Sequence, residues 1–226
     1  MKRFFNRREA GIELAEKLSR FAGRQDVVVL GLARGGVPVA YEIARALQVP
    51  LDVFVVRKLG APGHEELAIG AIATGGVRVL NREAIELLGI SSTVVERETM
   101  LEQQELERRE KMYRGDRSAV NVKGRTVIVV DDGLATGSTM QAAIVALRRQ
   151  GPASIIVAAP VVALKTCEYL RTVADGCEYV QSPEPFYGVG LWYEDFSQTS
   201  DTEVRSLLAA AAHDTLEPIP FAIQQY

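Results

Sequence analysis

The stretch Val127-Ile128-Val129-Val130-Asp131-Asp132-Gly133-Leu134-Ala135-Thr136-Gly137-Ser138-Thr139-Met140 decides how this chain is read. Its first four residues are apolar and mostly β-branched, the pattern of a strand covered on both faces in a parallel sheet. Two carboxylates end that strand. A glycine-bearing turn then delivers Thr136, Gly137, Ser138 and Thr139 to a helix read over 140–149. A helix start offers backbone N–H groups without intrahelical partners and a partial positive charge, and so favours an anion. The hydroxyls of Thr136, Ser138 and Thr139 add donors, and Gly137 lets the backbone approach closely. Carboxylates one turn away can accept hydrogen bonds from vicinal sugar hydroxyls and can face a divalent cation. The combination suits a sugar phosphate. It is not a Walker loop, because no Gly-Lys-Ser/Thr occurs in it.

Outward from this stretch, apolar strands alternate with amphipathic helices. Strands are expected at 27–31, 51–56, 126–130, 155–159 and 178–181, and helices at 8–23, 37–47, 140–149 and 163–173. The alternation implies crossover units and an α/β fold, a mostly parallel sheet flanked by helices. Residues 57–80 are punctuated by glycine and read as a loop followed by a hairpin turning at Gly75-Gly76. Residues 81–114 read as an inserted helical segment, with Glu105–Arg109 and Glu107–Lys111 in the supportive i,i+4 order. The tail from Pro183 is rich in aromatic and turn residues. A last helix is expected over 202–212, with a loose end after Leu216.

Composition sets the outer limits. The chain has 226 residues, 26 Lys+Arg against 29 Asp+Glu, a net charge of −3 and 47% hydrophobic residues. This length suits one large domain, or one domain plus a small appendage. The balance argues against a dedicated nucleic-acid binder. No apolar run approaches the ~18 residues of a membrane span. The basic start, Lys2-Arg3-Phe4-Phe5-Asn6-Arg7-Arg8, lacks the apolar core of a signal peptide. Cys167 and Cys177 read as core or surface thiols, and a reducing cytoplasm is the expected location.

The stretch 127–140 resembles the phosphoribosyl pyrophosphate (PRPP) motif of the type I phosphoribosyltransferases. That motif is a hydrophobic strand, two acids, a few loosely constrained residues and Thr-Gly-Ser/Thr-Thr. Strand 27–31 followed by Ala33-Arg34-Gly35-Gly36 resembles the pyrophosphate-binding loop of the same fold. Arg57-Lys58-Leu59-Gly60 looks like the start of its flexible catalytic loop. The resemblance implies a transferase that moves the 5-phosphoribosyl group from PRPP to a nitrogenous base or related acceptor, releases pyrophosphate and uses Mg²⁺. By resemblance, Asp131 and Asp132 hold the ribose hydroxyls and, mainly through PRPP, the metal. Ala135, Thr136, Gly137, Ser138 and Thr139 cradle the 5′-phosphate. Arg34, Gly35 and Gly36 meet the pyrophosphate, and Arg57 and Lys58 add positive charge at the leaving group. The resemblance further implies a single domain with a core over about 25–182 and a small C-terminal hood over about 183–226 that covers the acceptor, and a homodimer.

Alternatives stand beside several of these readings. Arg34-Gly35-Gly36 alone is also a tight turn before a helix. It is not a dinucleotide fingerprint, because the glycine spacing is wrong and Asp52 begins, rather than ends, the next strand. Arg57-Lys58 is also a solvated strand end. His64-Glu65-Glu66 lacks the second histidine of a zinc helix. Glu65 or Glu66 can assist proton transfer if the loop closes, although solvated acids explain them as well. His213 reads as a surface residue. Ala135 stands where 6-oxopurine members carry an acidic base, which weighs against such an acceptor. In the tail, Phe186, Tyr187, Trp192 and Tyr193 offer a stacking face to the acceptor, pin the segment to the core or build a dimer contact. Two functional rivals remain: a PRPP- or nucleotide-sensing regulator of the same fold, and an enzyme of other ribose-phosphate chemistry such as phosphorolysis or hydrolysis.

Overall fold

The computed structural model describes residues 2–61 and 64–214, apart from the side chains of 64–67 and 213–214. The readings of His64, Glu65, Glu66, His213 and the end after Leu216 fall outside what is described. Five strands form a parallel sheet in the order β2-β1-β6-β7-β8. They are β1 (Val27–Leu32), β2 (Leu51–Phe54), β6 (Thr126–Val130), β7 (Ser154–Val161) and β8 (Gly176–Gln181). Helices α2 (Gly36–Leu47), α5 (Ser138–Arg149) and α6 (Leu164–Val173) make the crossovers.

The central strands are continuous apolar runs because both faces are covered. Val27, Val29, Ile128, Val130, Ile156 and Ala158 pack with Leu14 of α1 (Arg7–Lys17), with Leu18 that caps it and with Val39, Ile43 and Leu47 of α2. The alternate residues Val28, Leu30, Val127, Val129, Ile155 and Val157 face Ile144 and Leu147 of α5 and Leu170 of α6. The two sets follow the two-residue period of a strand. The register Gly31↔Val130 sets the C-terminal ends of β1 and β6 side by side. That is the edge at which ligands gather in open parallel sheets.

Residues 57–61 differ from the sequence reading. They form strand β3 (Val56–Ala61), not a loop, and pair antiparallel with β4 (His64–Ala73), which pairs in turn with β5 (Val77–Leu80). The hairpin at Gly75-Gly76 is as expected. The reason is packing: Leu59 and Ala61 bury with Ile69, Ile72, Val95 and Leu106. The helical stretch 81–114 is broken into α3 (Arg82–Leu87) and α4 (Ser92–Arg114). Helix α7 (Asp201–Asp214) closes over the same cluster through Val204 and Leu208.

The cysteines also depart from expectation. Cys167 of α6 and Cys177 of β8, both buried, are joined as a disulfide. Their separation on two packed elements brings together residues that sequence spacing alone leaves as thiols. Among the described residues, no helix is long and apolar enough to cross a membrane.

Candidate functional site

Two turns meet at the ends of β1 and β6. The first is Ala33-Arg34-Gly35-Gly36, whose Ala33–Arg34 peptide is cis. It lies directly against the acids. A Cβ on Gly35 would fall 2.1 Å from Asp132 Oδ2, and one on Gly36 would fall 2.4 Å from the Val130 carbonyl oxygen and 2.9 Å from Asp131 Cα. Glycine at 35 and 36 is therefore what allows the first turn to touch the second.

The second turn is tied down from two sides. The Asp131 N–H donates to the Ala158 carbonyl and the Leu134 N–H to the Val161 carbonyl, so β7 carries the turn's backbone. The Thr166 hydroxyl of α6 donates to the Ala135 carbonyl. Gly137 sits at φ +70° immediately before α5, the left-handed region that glycine enters freely. Ala135, Thr136 and Ser138 are exposed there and Thr139 is half-buried. The Ser138 N–H reaches only the Thr136 hydroxyl, at 3.5 Å. An exposed helix start with hydroxyls around it remains as the sequence predicts.

The acids are less open than an exposed strand end. The Asp132 side chain is 15% exposed and pairs with Arg7 Nε at 2.8 Å. Burial pushes the Asp131 carboxyl well above the ordinary carboxylate range, and the neighbouring Asp132 charge pushes it further. Burial also raises Asp132, with Arg7 opposing the rise. The Asp132 N–H donates to Asp131 Oδ1 at 2.9 Å, fixing one carboxylate by the backbone of the other. Two adjacent desolvated acids form a site that gains from hydroxyl donors or a cation.

Arg7 comes from the start of α1, which is capped by Asn6 accepting from the Glu9 N–H. Its guanidinium lies over the Phe196 ring at 4.0 Å and donates to the Ser197 carbonyl at 2.7 Å. The C-terminal tail is thus part of the site. Phe4 pairs with Tyr193 as an isolated parallel bridge, and the Tyr193 hydroxyl donates to the Asp132 carbonyl at 2.6 Å. Burial raises the Tyr193 hydroxyl far above its ordinary value, so it stays a donor.

The structure brings Gly35, Gly36, Asp131, Asp132 and the 135–139 turn together. Other expected site residues are placed differently. Arg34 turns toward Asp201 of α7, with Nη1 3.8 Å from Oδ1. Arg57 and Lys58 point to opposite faces of β3: Arg57 is held by Glu102 of α4, and Lys58 is exposed. The tail aromatics do not form one face. Tyr193 is buried and pins the tail to the core, while Phe186 and Trp192 pack around the Phe4–Tyr193 cluster. Tyr187 is 81% exposed. Sequence reasoning missed Arg7, Phe196 and Asp201, which reach the site from distant segments and carry no motif.

The comparisons decide the family. The phosphoribosyl transferase domain matches residues 5–179. The chain belongs to the type I phosphoribosyltransferase family. It is 43% identical over 220 residues, 96% of its own length, to a Mycobacterium tuberculosis protein named for phosphoribosyl transfer. It spans about half that relative, 49% of its length. The crystal structure of TT1426 from Thermus thermophilus superposes with a TM-score of 0.81 at 41% identity, covering 92% of this chain and 98% of that one. The family resemblance read from 127–140 and the α/β fold expected from strand alternation are both borne out. In this chain the acidic pair Asp131 and Asp132 lies at the seam between the two turns and beneath the tail.

Proposed function

We propose that this chain transfers the 5-phosphoribosyl group of PRPP to a nitrogenous acceptor and releases pyrophosphate. The observation that carries the reading is the contact of Gly35 and Gly36 with Asp131 and Asp132, directly ahead of the exposed start of α5. In that arrangement the Thr136–Thr139 turn binds the 5′-phosphate, the two acids accept from the ribose hydroxyls, and the Arg34-Gly35-Gly36 turn takes the pyrophosphate. The bond from C1′ to the pyrophosphate oxygen breaks, a bond from C1′ to the acceptor nitrogen forms, and the acceptor nitrogen loses a proton. Charge develops on an oxocarbenium-like ribose and on departing pyrophosphate, and fixed dipoles and charges stabilise both.

The donor set fits Mg²⁺ shared with substrate. Among the described residues, no group of three or more His, Cys, Asp or Glu could hold a metal alone. Two adjacent desolvated carboxylates, of which only Asp132 is paired, with Arg7, match the usual mode, in which one or two carboxylates and substrate oxygens complete the shell. Asp131 and Asp132 would hold the ion, which would supply charge neutralisation at the phosphate oxygens. Arg34 is released from Asp201 to reach pyrophosphate. Arg57 and Lys58 serve the leaving group only with movement of β3 or of their side chains. Of the four hood aromatics Tyr187 is the one exposed to an acceptor, and Ala135 supplies no base.

The test is a panel of purine, pyrimidine and related bases offered with PRPP and Mg²⁺ while released pyrophosphate is measured. Base-dependent release supports the transferase. Tight PRPP binding without release under any base assigns the site to sensing, and release without an acceptor assigns it to hydrolysis.

A further inference from the structure

Away from the acidic pair, a cavity of about 530 Å³ opens between the C-terminal end of α4 and the face of α7. That volume is in the range of sites for small organic ligands. Arg114, Arg117 and Arg205 line it together with Thr202 and Ser206, and among the described residues no carboxylate contributes to the lining.

The three arginines are not equivalent. Arg114 is buried and neutralised, with Asp52 and Glu110 each at 2.9 Å. Arg117 donates to the carbonyls of Arg114 at 3.3 Å and Leu208 at 2.8 Å, which are neutral partners, so among the described residues its charge has no ionic partner. Arg205 has no hydrogen-bonded or ionic partner among the described residues. Two guanidinium groups without an ionic partner among the described residues therefore border one volume. Planar guanidinium forks suit phosphate oxygens, and the Thr202 and Ser206 hydroxyls add donors. Met112 and Ala209 supply apolar wall for the rest of a ligand. A smaller cavity of about 190 Å³ shares Arg114 and Arg117 and extends the space toward Val120; its one described carboxylate, Asp52, is the partner of Arg114.

Tyr113 forms part of the same wall. Its hydroxyl donates to Asp201 Oδ1 at 2.6 Å. That oxygen is the one 3.8 Å from Arg34 Nη1. Asp201 is thus shared between the cavity wall and the turn that packs on Asp132.

We propose that this cavity is a second anion site, distinct from the acidic pair. It takes a small molecule bearing a phosphate monoester on an apolar or aromatic body. Arg117 and Arg205 hold the phosphate, and occupancy is coupled to Arg34 through Tyr113 and Asp201. The site itself stands on the cavity and its arginines. The coupling rests on the assignment of Arg34 to pyrophosphate, and linkage makes it reciprocal.

The experiment is calorimetric titration of the full chain with AMP, ribose 5-phosphate or inorganic phosphate, each with and without saturating PRPP and Mg²⁺. AMP is expected to bind while PRPP is bound, and R205E and R117Q/R205Q are expected to weaken it by about tenfold or more, since a charge-assisted contact is lost. R205E changes an exposed side chain, so the fold and, without AMP, the PRPP affinity should stay within about twofold of the parent. Y113F should retain AMP binding and lose the effect of AMP on PRPP affinity. Complete displacement of AMP by PRPP, or parental AMP affinity in R205E, overturns the site. Ribose 5-phosphate or inorganic phosphate binding as tightly as AMP overturns the apolar body. If PRPP fails to bind while AMP binding still depends on Arg205, the cavity site stands and the transferase reading falls.

Discussion

Arg7 Nε lies 2.8 Å from Asp132 Oδ2, across 125 residues of sequence, and both side chains are nearly buried. The first helix thereby neutralises one of the two acids on which the site depends. Phe196 beneath the guanidinium and the Ser197 carbonyl beside it make the tail a third partner. Helix, acidic turn and tail are held as one assembly.

Arg7→Gln should therefore destabilise the protein as well as disturb the site. Removing one partner leaves a desolvated carboxylate without its counter-charge. The expected loss at neutral pH is about 2–3 kcal/mol, below the ~3–5 of a fully buried pair because Asp132 can take up a proton. In the variant the Asp132 carboxyl rises further, so the deficit should shrink as pH falls and both proteins carry a neutral Asp132. Urea denaturation at two pH values reads this directly. A deficit that grows toward acid pH would contradict the assignment.

Asp131→Asn should stabilise the fold while weakening PRPP binding. The folded carboxyl is held above its ordinary 3.8 by burial and by Asp132. A group raised in the folded state favours folding below its unfolded value, and that advantage is lost as pH rises through the folded one. At pH 7 Asp131 thus costs stability, as a stability–function trade-off at the proposed PRPP site would require. The amide oxygen can still accept from the Asp132 N–H. Thermal melts should show the variant above the parent at neutral pH, with the gap closing below about pH 4. Calorimetry should show weaker PRPP affinity. A variant no more stable at pH 7 would mean that Asp131 is not desolvated in solution.

These residues also show what sequence could and could not convey. Strands β1, β6 and β7 were legible because helices cover both their faces, so every position is apolar. The acidic turn was legible because its parts are contiguous. Strand β3 was not: Arg57-Lys58-Leu59-Gly60-Ala61 lacks β-branched residues, and only pairing with β4 and burial of Leu59 make it a strand. Arg7 resembled any basic residue of an amphipathic helix, and its role depends on where α1 packs. The Cys167–Cys177 bond likewise depends on α6 lying against β8. Opposite placement of Arg57 and Lys58 follows from strand pleat, which the expected loop did not impose.

Gly35→Ala and Gly36→Ala should separate two kinds of close contact. The Gly36 methyl would meet the Val130 carbonyl at 2.4 Å, and backbone in a central strand cannot yield. Its cost is about 2–3 kcal/mol in overpacking, with loss of PRPP binding. The nearest atoms to a Gly35 methyl would be those of the Asp132 carboxylate, which can rotate. That variant should keep more of its stability but lose the Arg7 pairing and PRPP affinity together. Equal destabilisation of the two by denaturant titration would show that Asp132 is as rigid as the strand behind it.

Asp52, whose position at the start of β2 excluded a dinucleotide site, has a structural use. Arg114 Nε lies 2.9 Å from Asp52 Oδ1, and Nη2 donates to the Val53 carbonyl at 2.6 Å. Asp52 also accepts from the Val53 and Val120 N–H groups at 2.7 and 3.0 Å. The pair therefore joins the end of α4 to the edge strand β2 and fixes the segment that leads to β6. Arg114→Met removes the cation and leaves a buried carboxylate, for an expected loss of about 3–5 kcal/mol. Asp52→Asn on top of that change should recover part of the loss, since the amide oxygen keeps an acceptor for one backbone N–H and buries no charge. A double-mutant cycle by chemical denaturation measures the coupling. Additive losses would show that Arg114 contributes only through its apolar stem and Glu110, not through Asp52.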